Sequence, residues 1–233
     1  MWLFYLLLVI VLIAGVVYFW RNIGQLIGRV RLQLRGKNHI VGWNMTPEAV
    51  IAFFMSQGKT ILTFYGYSGM GYEDEEALLR IAQKVLSGYS PEGTLVNIGV
   101  TSVGIGAIYP LAKSMGFETA GIVTSLVLEY PEGISDTVDH ICFVADKQWG
   151  GNLPDSNELS PTSKAMVECS DILVGIGGGG ISQAEMLAGK AQGKPVYFYP
   201  ADKNHEYAIS YAKRMGLPPP ESFDSGNPDL FKK

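Results

Sequence analysis

The chain is poor in the residues that would announce a common chemistry. It has only two cysteines, Cys142 and Cys169, with no Cys-x-x-Cys pair and no grouping of His, Cys and carboxylates at ligand spacing. That excludes a disulfide scaffold, offers no metal site, and fits buried thiols in a reducing compartment. Charged residues are 17% of the chain and the net charge is −4, which argues against a dedicated nucleic-acid binder. No stretch reads Gly-x-x-x-x-Gly-Lys-Ser/Thr, so the chain is not a P-loop NTPase, and no convincing acid follows a Gly-x-Gly-x-x-Gly at dinucleotide spacing. There is no internal repeat. His39 and His140 have no nucleophile or acid around them in the sequence and read as structural, and His205, beside Asp202 and Lys203, reads as an exposed helix start.

What is missing at the N-terminus matters most. From Trp2 to Trp20 no residue carries a charge, and no acidic residue appears before Glu48. About nineteen apolar residues at 1.5 Å each match the hydrocarbon thickness of a bilayer. Trp2, Tyr5, Tyr18 and Trp20 lie near the two ends, where aromatic belts form, and Arg21, Arg29, Arg31, Arg35 and Lys37 follow. Residues 1–20 are therefore expected to be a single transmembrane helix with the N-terminus outside and the rest in the cytoplasm, on the inner membrane. A cleavable signal peptide fits less well, because a basic start and a small-x-small site are lacking. Residues 21–58 read as a basic, amphipathic helical linker, lying on the anionic leaflet or packing against copies of itself. Within it, Thr46-Pro47-Glu48 marks a helix start and Gly58 a stop.

From Lys59 to Gly216 strands and helices alternate. Strands are expected at 60–66, 94–100, 119–128, 141–145, 172–175 and 196–200. Helices are expected at about 73–86, after Thr101 to 115, 161–169, 181–193 and 205–216. This is an α/β pattern, a Rossmann-like doubly wound parallel sheet over residues 59–216, followed by a Pro/Gly-rich tail at 217–233. Ligands bind such sheets beyond the carboxyl ends of the strands. The loops that end there are 67–72, 100–106, 146–152, 175–182 and 201–204.

One of these loops carries the clearest signal. The apolar strand from Ile172 runs into Gly177, Gly178, Gly179 and Gly180 and continues as a helix through Ser182 and Glu185. Glycines there let bare N–H groups approach an anion at a helix N-terminus. The competing reading is a tight turn without a ligand. The other loops are Gly-rich and hydroxylated: Gly66, Ser68 and Gly69; Thr101, Ser102 and Gly104; and Asp202 after the last strand. Such a set suits phosphate and ribose. Glu185 in a first helical turn would bind a ribose hydroxyl or simply favour the helix dipole. Trp149 would stack a base or pin its loop.

The order of these motifs resembles the SLOG superfamily, which is named from the Smf/DprA and LOG (Lonely guy, cytokinin-activating) proteins. The resemblance covers about residues 59–216 and rests on 64–69, 99–106, 177–185 and Lys194-Pro195-Val196. In LOG enzymes a Pro-Gly-Gly-x-Gly-Thr-x-x-Glu motif holds phosphate and its Glu acts at the ribosidic bond. Here Gly178, Gly179, Ser182 and Glu185 fit, while Gly177 and Ile181 depart. The family's Arg-Lys pair falls on Thr162 and Ser163, with Lys164 adjacent, so the guanidinium is absent from its place. The resemblance thus implies nucleotide recognition, as in the ADP-ribose-recognising domains of TRPM channels and in membrane-anchored antiviral effectors. It implies a nucleotide-derived ligand (ADP-ribose-like or cyclic), a lipid bilayer and further copies of the chain as partners, and no cofactor. The alternative is a membrane-tethered phosphoribohydrolase with Glu185 as catalyst.

Overall fold

The computed structural model describes residues 2–224; residue 1 and the end of the expected tail, 225–233, lie outside the described residues. A 34-residue helix α1 (Trp2–Arg35) leads into β1 (His39–Met45) and α2 (Pro47–Ser56). There follow β2 (Thr60–Gly66), α3 (Glu75–Leu86), β3 (Thr94–Ile98), α4 (Ile108–Ser114) and β4 (Glu118–Thr124). The chain closes with β5 (His140–Val144), α5 (Pro161–Cys169), β6 (Ile172–Ile176), α6 (Gly180–Ala191), β7 (Val196–Tyr199) and α7 (His205–Arg214). The seven strands form one sheet in the order β1-β5-β4-β3-β2-β6-β7, and every pairing is parallel.

Strand periodicity divides the core between the two faces of this sheet. Leu62 and Phe64 of β2 face one side with Val96, Ile98, Ile141 and Phe143, under Leu78 and Leu86 of α3 and Ile108 of α4. Ile61 and Tyr65 face the other side with Leu95, Ile122 and Cys142, under Phe54 of α2 and Met166 of α5. Burial pushes the Cys142 thiol up to about 12, so it stays protonated and inert.

α2 begins where its sequence says it should. Thr46 caps it, its hydroxyl accepting the Ala49 N–H at 3.3 Å, and Pro47 opens the first turn. Two expectations are corrected. Residues 39–45, read as part of a helical linker, form a seventh strand at the sheet edge beside β5. Its apolar positions are broken by Gly42 and Asn44, and its pairing partner comes from a hundred residues downstream, so no local pattern revealed it. The strand expected over 119–128 stops at Thr124, because Thr124 Oγ1 takes the Leu126 N–H and turns the chain into a 3₁₀ helix, Ser125–Glu129.

α1 has two different halves. The described side chains of residues 9–20 are all exposed, and the helix is long and apolar enough to cross a membrane. Below Trp20 it docks on its own domain rather than standing free. Leu32 is buried, and a Cβ on Gly28 would lie 2.1 Å from the Leu128 carbonyl oxygen, so only glycine lets the two backbones meet. Arg21 donates to Glu129 at 2.9 Å, Lys37 to Asp136 at 2.6 Å, and the Arg29 guanidinium lies 5.2 Å from the Trp43 ring centre. The basic residues that suggested a lipid-facing linker are largely engaged by the protein itself.

Candidate functional site

β2 and β6 are neighbours, yet the chain leaves β2 towards β3 and leaves β6 towards β7, in opposite directions across the sheet. A crevice opens where connections diverge in this way. Here it is a cleft of about 380 Å³ at the carboxyl edge, running from this switch point across the ends of β3 and β4.

Its floor is held by one tyrosine. Tyr72 OH donates to the Ile176 carbonyl at 2.7 Å and accepts the Tyr67 N–H at 3.0 Å, pinning the loop after β2 against the end of β6. The glycine run then turns into α6. Gly177 and Gly178 have φ of +57° and +118°, and a Cβ on Gly178 would lie 2.8 Å from that of Ser182. Gly179 is the N-cap and no side chain among the described residues caps the helix, so its first N–H groups are available to an anion. Ser182 Oγ donates to the Gly66 carbonyl at 3.0 Å and ties the two loops together.

Glu185, one turn further along α6, is 6% exposed. Ser163 Oγ donates to its Oε1 at 2.6 Å while accepting the Gly151 N–H at 2.7 Å. Burial pushes the Glu185 carboxyl up to about 7, with the Ser163 hydrogen bond pulling the other way. The group therefore changes charge close to neutral pH. Thr162, beside it on the cleft wall, is buried, and its Oγ1 has no hydrogen-bond partner among the described residues. Asp146 positions this corner: it accepts the Thr162 N–H and the Gln148 N–H, both at 2.9 Å. At the mouth stand Trp149 and Tyr130, both more than half exposed, with ring centres 6.3 Å apart.

Of the residues expected in the site, Gly66, Ser68, Gly69, Thr101, Ser182 and Glu185 line this cleft. Gly178, Gly179 and Gly180 open instead on an adjoining hollow of about 330 Å³ that also contains Lys203. The remaining four sit elsewhere. Gly177 packs against Tyr67 and Ala201, and Gly104 turns under the Tyr67 and Ser68 carbonyls. Ser102 lies in a separate hollow with Arg35 and Asp136, and exposed Asp202 faces His205 at 3.3 Å.

Sequence reasoning passed over several contributors. Tyr130, Val127 and Gly133 form a wall of the cleft, yet they belong to a stretch read as strand or left as loop. The same segment seats α1 through Leu128, Glu129 and Asp136. In the sequence Thr162 and Ser163 stand only where the family's basic pair is missing; the structure gives both to the carboxylate corner, while Lys164 points to Glu48 at 3.2 Å. The described residues lining the cleft include no Lys, Arg or His.

No family model and no curated relative matches the sequence. Among solved structures, the chain is similar to a molybdenum cofactor carrier protein from Chlamydomonas reinhardtii, at 21% identity over 68% of this chain and 85% of that one, with a TM-score of 0.44. A second structure of that carrier protein aligns at 22% identity over 60% and 76% of the two chains, again with a TM-score of 0.44. The structural-genomics protein TM1055 aligns at 21% identity over 59% and 72%, also at 0.44. At these scores neither chemistry nor residues pass from those proteins to this one.

Proposed function

We propose that this protein is a membrane-anchored receptor for a nucleotide-derived small molecule. The observation that carries the reading is the pairing, at one switch point, of an uncapped helix N-terminus with a buried, partly unsatisfied polar corner. Phosphate would meet the amides of Gly179 and Gly180, with Lys203 beside them and Ser68 and Ser182 close by. Sugar or base edges would meet Glu185 and Thr162, and an aromatic base would stack at Tyr130 and Trp149.

The absence of a cationic side chain from the described cleft lining favours recognition over cleavage, since the base leaving a ribosidic bond develops negative charge that a cation would neutralise. The SLOG resemblance extends this reading. A homo-oligomer anchored in the inner membrane by α1, N-terminus outside, would respond to an ADP-ribose-like or cyclic messenger, as in antiviral effectors. The segment 125–136 offers the physical link, because one side of it walls the cleft and the other holds α1.

The test is to purify the full chain in mild detergent, identify any nucleotide that accompanies it by mass spectrometry, and measure thermal shifts. At least one phosphate-bearing nucleotide should raise Tm, and the matching nucleoside should not. If no nucleotide accompanies the chain and none shifts Tm, the reading is wrong. A second reading rests on Glu185, whose carboxyl at about 7 is suited to acid–base work: a phosphoribohydrolase. Release of free base from nucleoside monophosphates or NAD, abolished in Glu185→Gln, would establish that instead.

A further inference from the structure

The contacts of α1 fix how the cleft is oriented towards the membrane. Trp2 to Trp20 is uncharged, and at 1.5 Å per residue it spans about 28 Å, close to the ~30 Å hydrocarbon core. The next residue, Arg21, bonds Glu129 at 2.9 Å, and Glu129 lies just beyond the carboxyl end of β4. At the other end of the docked half, Arg35 and Lys37 meet Asp136, and His39 starts β1 at the amino edge of the sheet. The helix thus descends from the carboxyl edge to the amino edge. The carboxyl edge, where the cleft opens, faces the apolar run.

Three large apolar residues on that edge are more than half exposed, Val103 at 54%, Tyr130 at 56% and Trp149 at 54%, with Ile181 at 42% beside them. Tyr130 follows Glu129, whose carboxylate meets Arg21, the first residue beyond the apolar run, at 2.9 Å. That contact places the rim within a side-chain length of the hydrocarbon edge, in reach of the head-group layer, about 6 Å thick on each side of the hydrocarbon. Tyrosine and tryptophan settle at such an interface because one end of each is apolar and the other wet. Glu129 and Glu132 beside the rim are acidic, so the attraction is apolar and does not depend on anionic lipid.

We propose that Val103, Tyr130 and Trp149 rest in the lipid head-group layer, so that the cleft opens on the membrane surface and takes up its ligand there. This rests on α1 being the membrane anchor. The test uses the full chain in phosphatidylcholine nanodiscs, with a nitroxide placed in turn on Tyr130→Cys, Trp149→Cys and Val103→Cys. The last leaves both aromatics in place. Cys142 and Cys169 are buried and are left alone. References are Val11→Cys and Ile13→Cys in the apolar run, and Ser87→Cys at the exposed end of α3. Relaxation by lipid-soluble oxygen, relative to a water-soluble nickel chelate, should be several-fold higher at the three rim positions than at 87 and should stay below that at 11 and 13, in the middle of the apolar run. If the rim matches 87 while 11 and 13 are in lipid, the inference is overturned and the anchor stands. If 11 and 13 also match 87, the anchor and the inference fall together.

Discussion

Glu185 and Glu118 sit at opposite edges of one sheet, and their surroundings treat a carboxylate in opposite ways. Glu118 opens β4 at the amino edge. Lys59 Nζ is 2.6 Å from its Oε2, and His140, itself 3.1 Å from His39 through their Nδ1 atoms, holds its Oε1. The Lys59 hydrogen bond, then the one from His140, keeps the Glu118 carboxyl below its ordinary value. Glu185 at the carboxyl edge is buried, has one hydroxyl donor in Ser163, and is pushed up to about 7. The fold satisfies the acid that only has to be tolerated. It leaves the other under-satisfied where a cleft gives a ligand access, and perturbed groups of that kind concentrate at functional sites.

The largest test of this contrast is Glu185→Gln. A folded-state value of about 7 against the ordinary 4.5 means that the folded protein holds the proton more tightly between those pH values. Stability should therefore fall as pH rises through that window, by about 3 kcal/mol in all. The Gln variant should lack this slope, so its urea midpoint should exceed that of the parent at pH 8 and converge with it at pH 4. A parent whose midpoint does not change between pH 4 and 8 would break the comparison.

A smaller effect is expected from Ser163→Ala. Losing the hydroxyl that donates to Glu185 and accepts the Gly151 N–H should cost about 1–3 kcal/mol and move the Glu185 titration further up, seen as a pH–stability curve displaced to higher pH. Glu118→Gln should have the smallest effect. Its carboxylate is a third exposed, and pairs of that kind are worth about 1 kcal/mol or less. Since its folded value is depressed, the advantage of the parent should be present at pH 7 and disappear as pH falls below 4.5 through that value. A deficit that persists at pH 3 would mean Glu118 works through packing.

Much of this was legible before any coordinates. Thr46 and Pro47 mark a helix start because the capping group is three residues from the N–H it serves. The alternation of Leu62 and Phe64 with Ile61 and Tyr65 gives the strand, and the glycines after Ile176 give the turn. All three signals lie within a few residues of their effect. β1 was illegible because its evidence is a pairing with β5. Four of the residues expected in the site lie outside both the cleft and the adjoining hollow of Gly178, Gly179 and Gly180, because a residue type in a loop does not say which way it faces; Gly104 and Gly177 are spent on backbone crossings. No local signal could have placed Tyr130 in the site, since it arrives there through the turn that seats α1.

The sequence alone thus determined the layered α/β class, the glycine-lined start of α6 and an apolar run of membrane length, because each depends on neighbours along the chain. Tertiary structure decided the rest. Ser163 reaches Glu185 across 22 residues and Arg21 reaches Glu129 across 108. Contacts of that span exist only once the sheet has brought their elements together. The same folding step makes a carboxylate unusual by removing its water, and turns the cleft towards the apolar end of α1.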